Sequence, residues 1–199
     1  MDDRAWDNQV PLTGGTTVFN SLLYTDHLIL RPATPYLARA DMENQFRFAE
    51  LLEAEVHPGW PPELYDEHAK IWTLRALQND PEGLITYYIL LKRNGEKPLL
   101  IGNAGFKGKP RNNVAEIGYS IVPEWHGRGL GTEAVFALTS YAFQDLNAEM
   151  VCAHTLPELI PSQRVLEKNG FVVRGCPIEK DSVRYEITWT EWNSRVKER

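Results

Sequence analysis

The segment Ala115–Gly131 constrains the fold of this chain more than any other stretch. Its sequence, AEIGYSIVPEWHGRGLG, has the pattern of a strand, a turn and the start of a helix. Side chains between Val114 and Val122 alternate between two faces, which is the spacing of a β-strand. Pro123 has no backbone N–H to donate and therefore ends the strand. The pattern predicts a strand that leads the chain directly into a glycine-rich turn.

The glycine-rich turn lies where a helix is predicted to begin. Gly127, Gly129 and Gly131 alternate with larger residues, and apolar residues then repeat at helical spacing. These apolar residues are Leu130, Ala134, Leu138 and Tyr141. The first N–H groups of a helix lack intrahelical partners and lie at the positive end of its dipole, and glycines let a phosphate approach them. The turn therefore predicts a phosphate site, with a purely structural strand-to-helix turn as the alternative.

Two common phosphate-binding motifs do not fit the spacing of this turn. A nucleoside triphosphatase loop has a lysine after its last glycine, whereas Thr132 follows Gly131 here. A dinucleotide fingerprint runs G-x-G-x-x-G, whereas these glycines run G-x-G-x-G with no second βαβ unit downstream. A nucleoside triphosphatase and a nicotinamide enzyme are therefore disfavoured.

The turn resembles the acyl-CoA loop of the GNAT acyltransferase superfamily, whose signature is Gln/Arg-x-x-Gly-x-Gly/Ala. Residues His126–Gly131 fill this signature except at its first position, where His126 replaces the usual Gln or Arg. The resemblance implies that acetyl-CoA is bound as co-substrate and that no metal is needed. It also implies the GNAT fold, a mixed α/β architecture in which a mostly antiparallel twisted sheet carries helices on both faces.

Three further segments resemble the same superfamily, so the resemblance extends over most of the chain from Tyr24 onward. The segment Thr155–Phe171, TLPELIPSQRVLEKNGF, is similar to the closing segment of the RimJ/RimL-like branch, which acetylates protein N-termini. In this segment Leu159 stands where the branch usually has Asn. HLILRP at His27–Pro32 and IGNAGFK at Ile101–Lys107 are shorter matches.

Hydrophobic periodicity predicts the order β, α, α, β, β, β, α, β, α, β, β along the chain, again a mixed α/β arrangement. A first strand is predicted at Tyr24–Arg31, and one long helix from Pro35, capped by Thr34, to near His57. The last strand is predicted at Val183–Thr190. We expect an N-terminal arm at residues 1–22, a single acyltransferase domain at 23–192 and a C-terminal tail at 193–199.

The resemblance assigns the acyl-CoA contacts to the turn and to the strand before it. Backbone N–H groups should surround the pyrophosphate at Gly127, Arg128, Gly129, Leu130 and Gly131. The hydroxyl of Thr132 adds a contact, and a protonated His126 can reach the same phosphate. Ile121 and Val122 should offer backbone groups to the pantetheine arm, where their strand diverges from the next one. The side chain of Arg128 adds positive charge or is simply solvated.

Catalysis in such an enzyme needs a base for the attacking amine, a proton donor for the departing thiolate and a stabilised oxyanion. Glu116 is the first candidate base, acting directly or through water, and His154 is the alternative. Ser162 matches the serine of the RimJ/RimL-like branch and is the candidate acid, with a helix N-cap as its other interpretation. Trp60 is expected with Glu116 at the acceptor site, although a tryptophan beside prolines often only packs.

Composition narrows the classes of function further. The net charge of −6 argues against a nucleic-acid protein, which needs a basic stripe, and suits a cationic acceptor. No signal peptide and no apolar run of membrane length is visible, which predicts a cytoplasmic protein without a membrane partner. Cys152 and Cys176 make neither a disulfide framework nor a metal cluster and are expected to be buried free thiols.

The leading hypothesis is an N-acetyltransferase that transfers an acetyl group from acetyl-CoA to a primary amine by direct attack. The acceptor is a protein N-terminus or a small amine, and the chain is a monomer or a homodimer. A non-catalytic acyl-CoA binding or regulatory module is the alternative, because Leu159 and His126 both depart from the family pattern.

Overall fold

The computed structural model describes residues 21–80, 86–175 and 181–197. Within these ranges the chain forms nine strands and six α-helices. The strands are β1 (Leu23–Tyr24), β2 (Leu28–Pro32), β3 (Glu55–Val56), β4 (Thr86–Leu91), β5 (Leu99–Phe106), β6 (Val114–Ile121), β7 (Met150–Thr155), β8 (Val172–Val173) and β9 (Val183–Thr188). The helices are α1 (Pro35–Glu43), α2 (Gln45–Leu52), α3 (Glu67–Asn79), α4 (Leu130–Gln144), α5 (Ile160–Lys168) and α6 (Trp189–Lys197).

The strands in the described ranges form one sheet, in the order β1-β2-β4-β5-β6-β7-β9-β8, with β3 paired to β5. Neighbouring strands are antiparallel except for the pairs β6–β7 and β3–β5, which are parallel. Helix α4 packs on one face of the sheet, and α1 to α3 pack on the other. The predicted mixed α/β architecture, a mostly antiparallel sheet with helices on both faces, is therefore confirmed.

Strands β6 and β7 diverge partway along their length. Their pairing stops at Ile117 opposite Ala153, yet β6 continues to Ile121 and β7 to Thr155. Beyond the last pair, the backbone N–H and C=O groups of the two strands do not hydrogen-bond to each other. We call the opening between these two strand ends the β6–β7 gap, and it lies where the sequence predicts that the strands diverge.

Helix α4 is held against the sheet by its apolar stripe. Leu130, Ala134, Leu138 and Tyr141 are all buried, as their spacing predicts. Each fully buried leucine contributes about 1.5–3 kcal/mol relative to an exposed one. This packing fixes the N-terminus of α4, and with it the glycine-rich turn, beside the end of β6.

On the opposite face, the predicted long helix is broken into α1 and α2. Thr34 caps α1 as predicted, with its side chain accepting a hydrogen bond from the N–H of Leu37 at 3.1 Å. Asn44 then leaves the helical conformation, and its Oδ1 accepts from the N–H of Arg47 at 2.9 Å. Because an asparagine side chain caps a helix better than it sits inside one, the prediction of a single helix to His57 is wrong.

The strand predicted over Tyr24–Arg31 is in fact a hairpin of β1 and β2. Thr25 ends β1, because its N–H donates to the carbonyl of Leu28 at 3.0 Å. The hydroxyl of Thr25 also accepts from the N–H of Leu28 at 3.0 Å. A threonine that bonds to its local backbone in this way favours a turn over a continuous strand.

The chain after β9 is helical rather than extended. β9 ends at Thr188, and α6 follows it, so residues 193–197 of the predicted tail lie in a helix. Trp192 of α6 is buried, and its ring centroid lies 4.7 Å from that of Phe136 and 6.2 Å from that of Phe143. These contacts hold α6 against α4.

Several sequence predictions fall outside the described residues. They concern residues 1–20 of the arm, the last two residues of the tail, and Cys176. Cys152 is a buried free thiol, as predicted, and burial raises its pKa to about 11. None of the helices in the described ranges is long and apolar enough to cross a membrane.

Candidate active site

The glycine-rich turn connects the end of β6 to the N-terminus of α4. Gly127 and Gly129 have φ angles of 73° and 81°, in the left-handed region that favours glycine. Gly129 is the N-cap of α4 and has no side chain to accept from the first turn. The first N–H groups of α4 are therefore available to an anion at the positive end of the helix dipole. The turn fits a pyrophosphate.

Helix α5 supports the first turn of α4. A Cβ added to Gly131 would lie 3.5 Å from Cγ2 of Val165, so the two helices approach closely. Asn169 is fully buried, and its Nδ2 donates to the carbonyl of Thr132 at 3.1 Å. These contacts hold Thr132 at the start of α4. The sequence reasoning missed Asn169, which follows the conspicuous Val-Leu-Glu-Lys run.

The two basic residues of the turn have protein partners of their own. Nε2 of His126 donates to the carbonyl of Ile121 at 2.6 Å, so Nδ1 is the atom left to donate to a phosphate, and it can do so only when the ring is protonated. The guanidinium carbon of Arg128 lies 4.6 Å from the centroid of the Trp125 ring, a cation–π distance. The positive charge of Arg128 is thus held at the turn by Trp125.

Ile121 and Val122 are the two backbone positions predicted to contact the pantetheine arm. Only Ile121 turns its backbone groups toward the β6–β7 gap. The N–H of Val122 donates to the carbonyl of Ile101 at 2.8 Å, so it points into the sheet and not into the gap. Ile121 is paired with Gly102, and the bond from Val122 flanks that pair. In an antiparallel ladder the residue between such bonds turns its own N–H and C=O to the other side. The backbone N–H and C=O of Ile121 therefore point toward the gap.

Glu116 is bonded to two basic side chains. Its Oε1 accepts from Nζ of Lys107 and from Nδ1 of His154, each at 2.9 Å. Burial on its own would raise the pKa of Glu116, but the hydrogen bonds from Lys107 and His154 outweigh burial, and the pKa lies below its ordinary value. Glu116 is thus ionised at neutral pH. We call these three residues the Glu116 cluster.

The Glu116 cluster joins both predicted bases in one group. The side chain of His154 is only 1% exposed, whereas that of Glu116 is 23% exposed. Glu116 is therefore the member of the pair that a substrate can reach. The sequence reasoning missed Lys107, although it ends the IGNAGFK segment; its N–H donates to the carbonyl of Glu116, which places it directly alongside.

A pair of hydroxyl groups lies on the α4 side of the β6–β7 gap. The hydroxyl of Tyr119 donates to the carbonyl of Ser162 at 3.1 Å, and the two hydroxyl oxygens are 3.0 Å apart. Leu159, not Ser162, is the N-cap of α5, so the capping interpretation of Ser162 does not hold. Burial raises the pKa of Tyr119 to about 12. Tyr119 was missed because its strand face predicts only core packing.

Trp60 packs beneath α1 to α3. Its Nε1 donates to Oδ1 of Asp41 at 2.8 Å, and its ring centroid lies 5.5 Å from that of Tyr65 and 5.9 Å from that of Tyr88. These contacts support the packing interpretation of Trp60. Its predicted contact with an acceptor stays a prediction.

Comparison with known proteins places this geometry in a family. A family model described as an acetyltransferase (GNAT) domain matches residues 27–172. The chain belongs to this family. It is 31% identical over 106 residues to the N-acetyltransferase YnaD of Bacillus subtilis, a match that covers 49% of this chain and 62% of YnaD. The chain thus spans about three fifths of the length of that relative.

Solved structures share the GNAT fold with this chain. RimJ of Mycobacterium smegmatis, in complex with CoA-disulfide, superposes with a TM-score of 0.59 at 20% identity and covers 86% of this chain and 88% of its own. The ribosomal-protein-S5-alanine acetyltransferase of Vibrio fischeri gives a TM-score of 0.61 at 21% identity, over 87% of this chain and 99% of its own. The GNAT fold that the sequence predicts is confirmed.

The β6–β7 gap of this GNAT domain lies between groups of different chemistry. The Glu116 cluster lies on the sheet face that α1 to α3 cover, and the Tyr119–Ser162 pair lies on the face that α4 and α5 cover. The glycine-rich turn closes one end. A molecule that enters the gap with its phosphates on the turn would therefore have a carboxylate on one side and two hydroxyl groups on the other. Within the described residues, no group of three or more His, Cys, Asp or Glu side chains is placed to bind a metal.

Proposed function

We propose that this chain transfers an acetyl group from acetyl-CoA to a primary amine by direct attack. The observation that carries this proposal is the arrangement around the β6–β7 gap: the glycine-rich turn at its end, the Glu116 cluster on one face and the Tyr119–Ser162 pair on the other. Attack of an amine on a CoA thioester needs a phosphate site, a proton acceptor and a proton donor. The presence of CoA in the RimJ structure of M. smegmatis supports a CoA ligand here.

Residues of the turn and of β6 would hold acetyl-CoA. The N–H groups of residues 127–131 and the hydroxyl of Thr132 fit the pyrophosphate, with Nδ1 of His126 and the charge of Arg128 beside them. The backbone N–H of Ile121, which faces the gap, fits the pantetheine arm. Acetyl-CoA bound in this way supplies a thioester carbonyl as electrophile and a thiolate as leaving group.

Glu116 accepts the proton of the attacking amine, directly or through a water molecule. Its low pKa keeps it ionised but also makes it a weak base, so it accepts the proton only as the new C–N bond forms. The same negative charge attracts the amine. Lys107 and His154 hold the carboxylate in place, since each donates to its Oε1.

Ser162 donates a proton to the thiolate as the C–S bond breaks. The hydroxyl of Tyr119 donates to the Ser162 carbonyl at rest; by rotation about its C–O bond it can turn this proton to the Ser162 hydroxyl, 3.0 Å away, and return a proton to it. Because the pKa of Tyr119 is about 12, this hydroxyl carries its proton at neutral pH. The pair therefore acts as a short relay from Tyr119 through Ser162 to the sulfur.

A protein N-terminus is the acceptor that the comparisons favour, and a small amine is the alternative. The similarity to the RimJ/RimL-like branch and the V. fischeri structure, a ribosomal-protein-S5-alanine acetyltransferase, support a protein acceptor. The net charge of −6 is compatible with a cationic acceptor.

Turnover of acetyl-CoA with a panel of amines tests the proposal directly. Release of free thiol is followed with N-terminal peptides, amino acids and polyamines, for the wild type, Glu116→Gln and Ser162→Ala. We expect each variant to lose about 100-fold in kcat, the low end of what a general acid or base contributes, with unchanged affinity for CoA. Absence of thiol release by the wild type across the panel would overturn the proposal. Equal rates in all three proteins would overturn the residue roles alone.

A further inference from the structure

Gly118 lies inside β6, and neither backbone conformation nor packing requires a glycine there. Its φ is outside the left-handed region in which Gly127 and Gly129 lie. A Cβ added to Gly118 would meet no atom of the described residues within 4 Å. Glycine in the interior of a strand is unfavourable, because it loses more conformational entropy on folding than other residues and has no side chain to pack. The bare position therefore needs another explanation.

Gly102 of β5 shows what a glycine required by packing looks like in the same pair of strands. A Cβ added to Gly102 would collide with the backbone carbonyl oxygen of Ser120 and lie 3.0 Å from Cα of Ile121. Both contacts are to backbone, so a side chain at this position would push the two strands apart. Close approach of β5 and β6 therefore explains Gly102, but it does not explain Gly118.

Gly118 lies where the β6–β7 gap meets the Glu116 cluster. It is the first residue of β6 beyond the last β6–β7 pair, which joins Ile117 to Ala153. It also follows Glu116 on the same face of the sheet, because alternate residues of a strand share a face. Gly118 is partly exposed, so a molecule at the mouth of the gap can reach its backbone. Two residues of a strand span about 6.6 Å, which separates the bare position from Glu116.

This distance fits an amine and the carbon that carries it. With that carbon over Gly118, the amine points along β6 toward Glu116. An N–C bond of about 1.5 Å and a hydrogen bond of about 2.9 Å to the carboxylate cover all but about 2 Å of the separation. The glutamate side chain covers the rest, since its Oε1 already accepts from Nδ1 of His154, the residue of β7 that is level with Gly118.

A substituent on the amine carbon would occupy the space in which a side chain of residue 118 would otherwise stand. The carbon rests on the strand backbone, so the enzyme and the acceptor cannot both place a methyl group there. An unbranched amine leaves this space unused. One methylene group more or less in such a pocket changes discrimination by about 10- to 200-fold. A glycine at this position therefore favours acceptors with a branch at the amine carbon.

We propose that Gly118 is a specificity residue of the acceptor site, and that its bare backbone takes the substituent on the amine-bearing carbon of a branched primary amine, such as the first residue of a peptide. This proposal rests on the proposed function and names the acceptor class of the same site. The amine points to Glu116 and meets the acetyl group at the β6–β7 gap. Gly118 acts on the acceptor and not on CoA, whose phosphates bind at the glycine-rich turn.

The test measures thiol release from acetyl-CoA with trialanine, whose amine carbon carries a methyl group, and with triglycine, whose amine carbon carries none. The wild type is compared with Gly118→Ala and Gly118→Val. We expect Gly118→Ala to lose about tenfold or more in kcat/KM for trialanine and less than about threefold for triglycine. The larger Gly118→Val should lose at least about tenfold with both peptides. Isopropylamine and ethylamine give the same comparison if the wild type acetylates no peptide.

Gly102→Ala is the matched control, because packing requires that glycine. It should unfold at a lower urea concentration than the wild type and lose both acceptors equally. Gly118→Ala should unfold at the wild-type urea concentration or higher and bind CoA with wild-type affinity by calorimetry, since an alanine fits there without strain.

Equal losses for branched and unbranched acceptors in Gly118→Ala, or no loss at all, would overturn the role of Gly118 while leaving the proposed function intact. A urea midpoint of Gly118→Ala as low as that of Gly102→Ala would do the same, because Gly118 would then be structural. So would a wild type that acetylates only the unbranched amines. Absence of thiol release with any amine would overturn both proposals.

Discussion

The glycine-rich turn and the Glu116 cluster both border the β6–β7 gap, but they are built in different ways. The turn offers backbone N–H groups, and their positions follow from two left-handed glycines and the start of one helix. The Glu116 cluster gathers side chains from β6, from β7 and from the end of β5, so its geometry depends on strand register. Changes in the turn should therefore alter CoA binding, and changes in the cluster should alter turnover.

The largest expected effect is in the turn. Gly129→Val places a β-branched residue at a φ of 81° in the N-cap of α4, where the backbone strain and the new side chain displace the N–H groups. We expect the affinity for CoA, measured by calorimetry, to fall at least about 100-fold. Activity should fall with it at any acetyl-CoA concentration below the new dissociation constant.

Gly95→Val is the matched control for this substitution. Gly95 has a φ of 73° in the turn between β4 and β5, so a valine there carries similar strain far from the gap. Both variants should lose similar stability in urea, and only Gly129→Val should lose CoA. Equal CoA affinities in the two variants would show that the turn is only structural.

Loss of the proposed Tyr119–Ser162 relay should give the next largest effect, and this effect should appear in turnover alone. Tyr119→Phe removes the hydroxyl that lies 3.0 Å from the Ser162 hydroxyl and leaves the aromatic ring. We expect kcat to fall about tenfold, the loss of one partner in a proton-transfer pair, with CoA affinity unchanged. In a double-mutant cycle with Ser162→Ala, the two losses should not add, because the hydroxyls act as one unit. Additive losses would separate Tyr119 from the chemistry.

The turn is built from consecutive residues and the Glu116 cluster from separate strands, and this difference explains why the sequence predicts the turn more completely than the cluster. The turn was located correctly because its glycines, Pro123 and the apolar repeat of α4 lie within about thirty consecutive residues. The sheet followed from alternation in β4 to β7 and from the family resemblance. These signals lie in neighbouring residues, so the turn and the strands can be predicted without knowing the fold.

The residues that were missed depend on contacts between distant segments. Lys107 reaches Glu116 only because β5 and β6 pair in one register, and a shift of one residue would turn it to the other face. The strand pattern predicts that Tyr119 is only a core residue. Its hydrogen bond to Ser162 exists because β6 diverges from β7 and α5 lies within hydrogen-bonding distance. The helical repeat places Asn44 inside one helix, because such a repeat does not show where a side chain caps the next helix.

A smaller effect concerns the pKa of Glu116. Lys107→Met removes a donor 2.9 Å from Oε1, so burial is less well opposed and the pKa of Glu116 should rise. Glu116 then takes up its proton at a higher pH than in the wild type. The ratio of kcat/KM at about pH 5 to that at about pH 8 should fall roughly threefold below the wild-type ratio. The exposed Lys109→Met is the control, and equal pH profiles in all three proteins would exclude a catalytic role for the Glu116 charge.

The smallest effect tests whether the turn works through its backbone alone. Glu133, in the first turn of α4, accepts from the N–H and from Nδ1 of His27 at 2.7 and 2.9 Å, and so ties α4 to the β1–β2 hairpin. Burial alone would raise the pKa of Glu133, but its hydrogen bonds to Thr25 and His27 outweigh burial and lower it. A depressed pKa means that the stabilisation is present above the unfolded value of 4.5 and is lost as the pH falls through the lower folded value.

Glu133→Gln should therefore lower the free energy of unfolding in urea by no more than about 1 kcal/mol at pH 7, since solvent screens this partly exposed group, and by less as the pH falls below 4.5. Glu158→Gln, in the exposed turn before α5, should change nothing at either pH. CoA affinity should stay within about twofold of the wild type, because the N–H groups of the turn are positioned by Gly129 and the packing of α4 rather than by this carboxylate. A loss of CoA affinity as large as that of Gly129→Val would mean that the side-chain anchor, and not the backbone, sets the phosphate site.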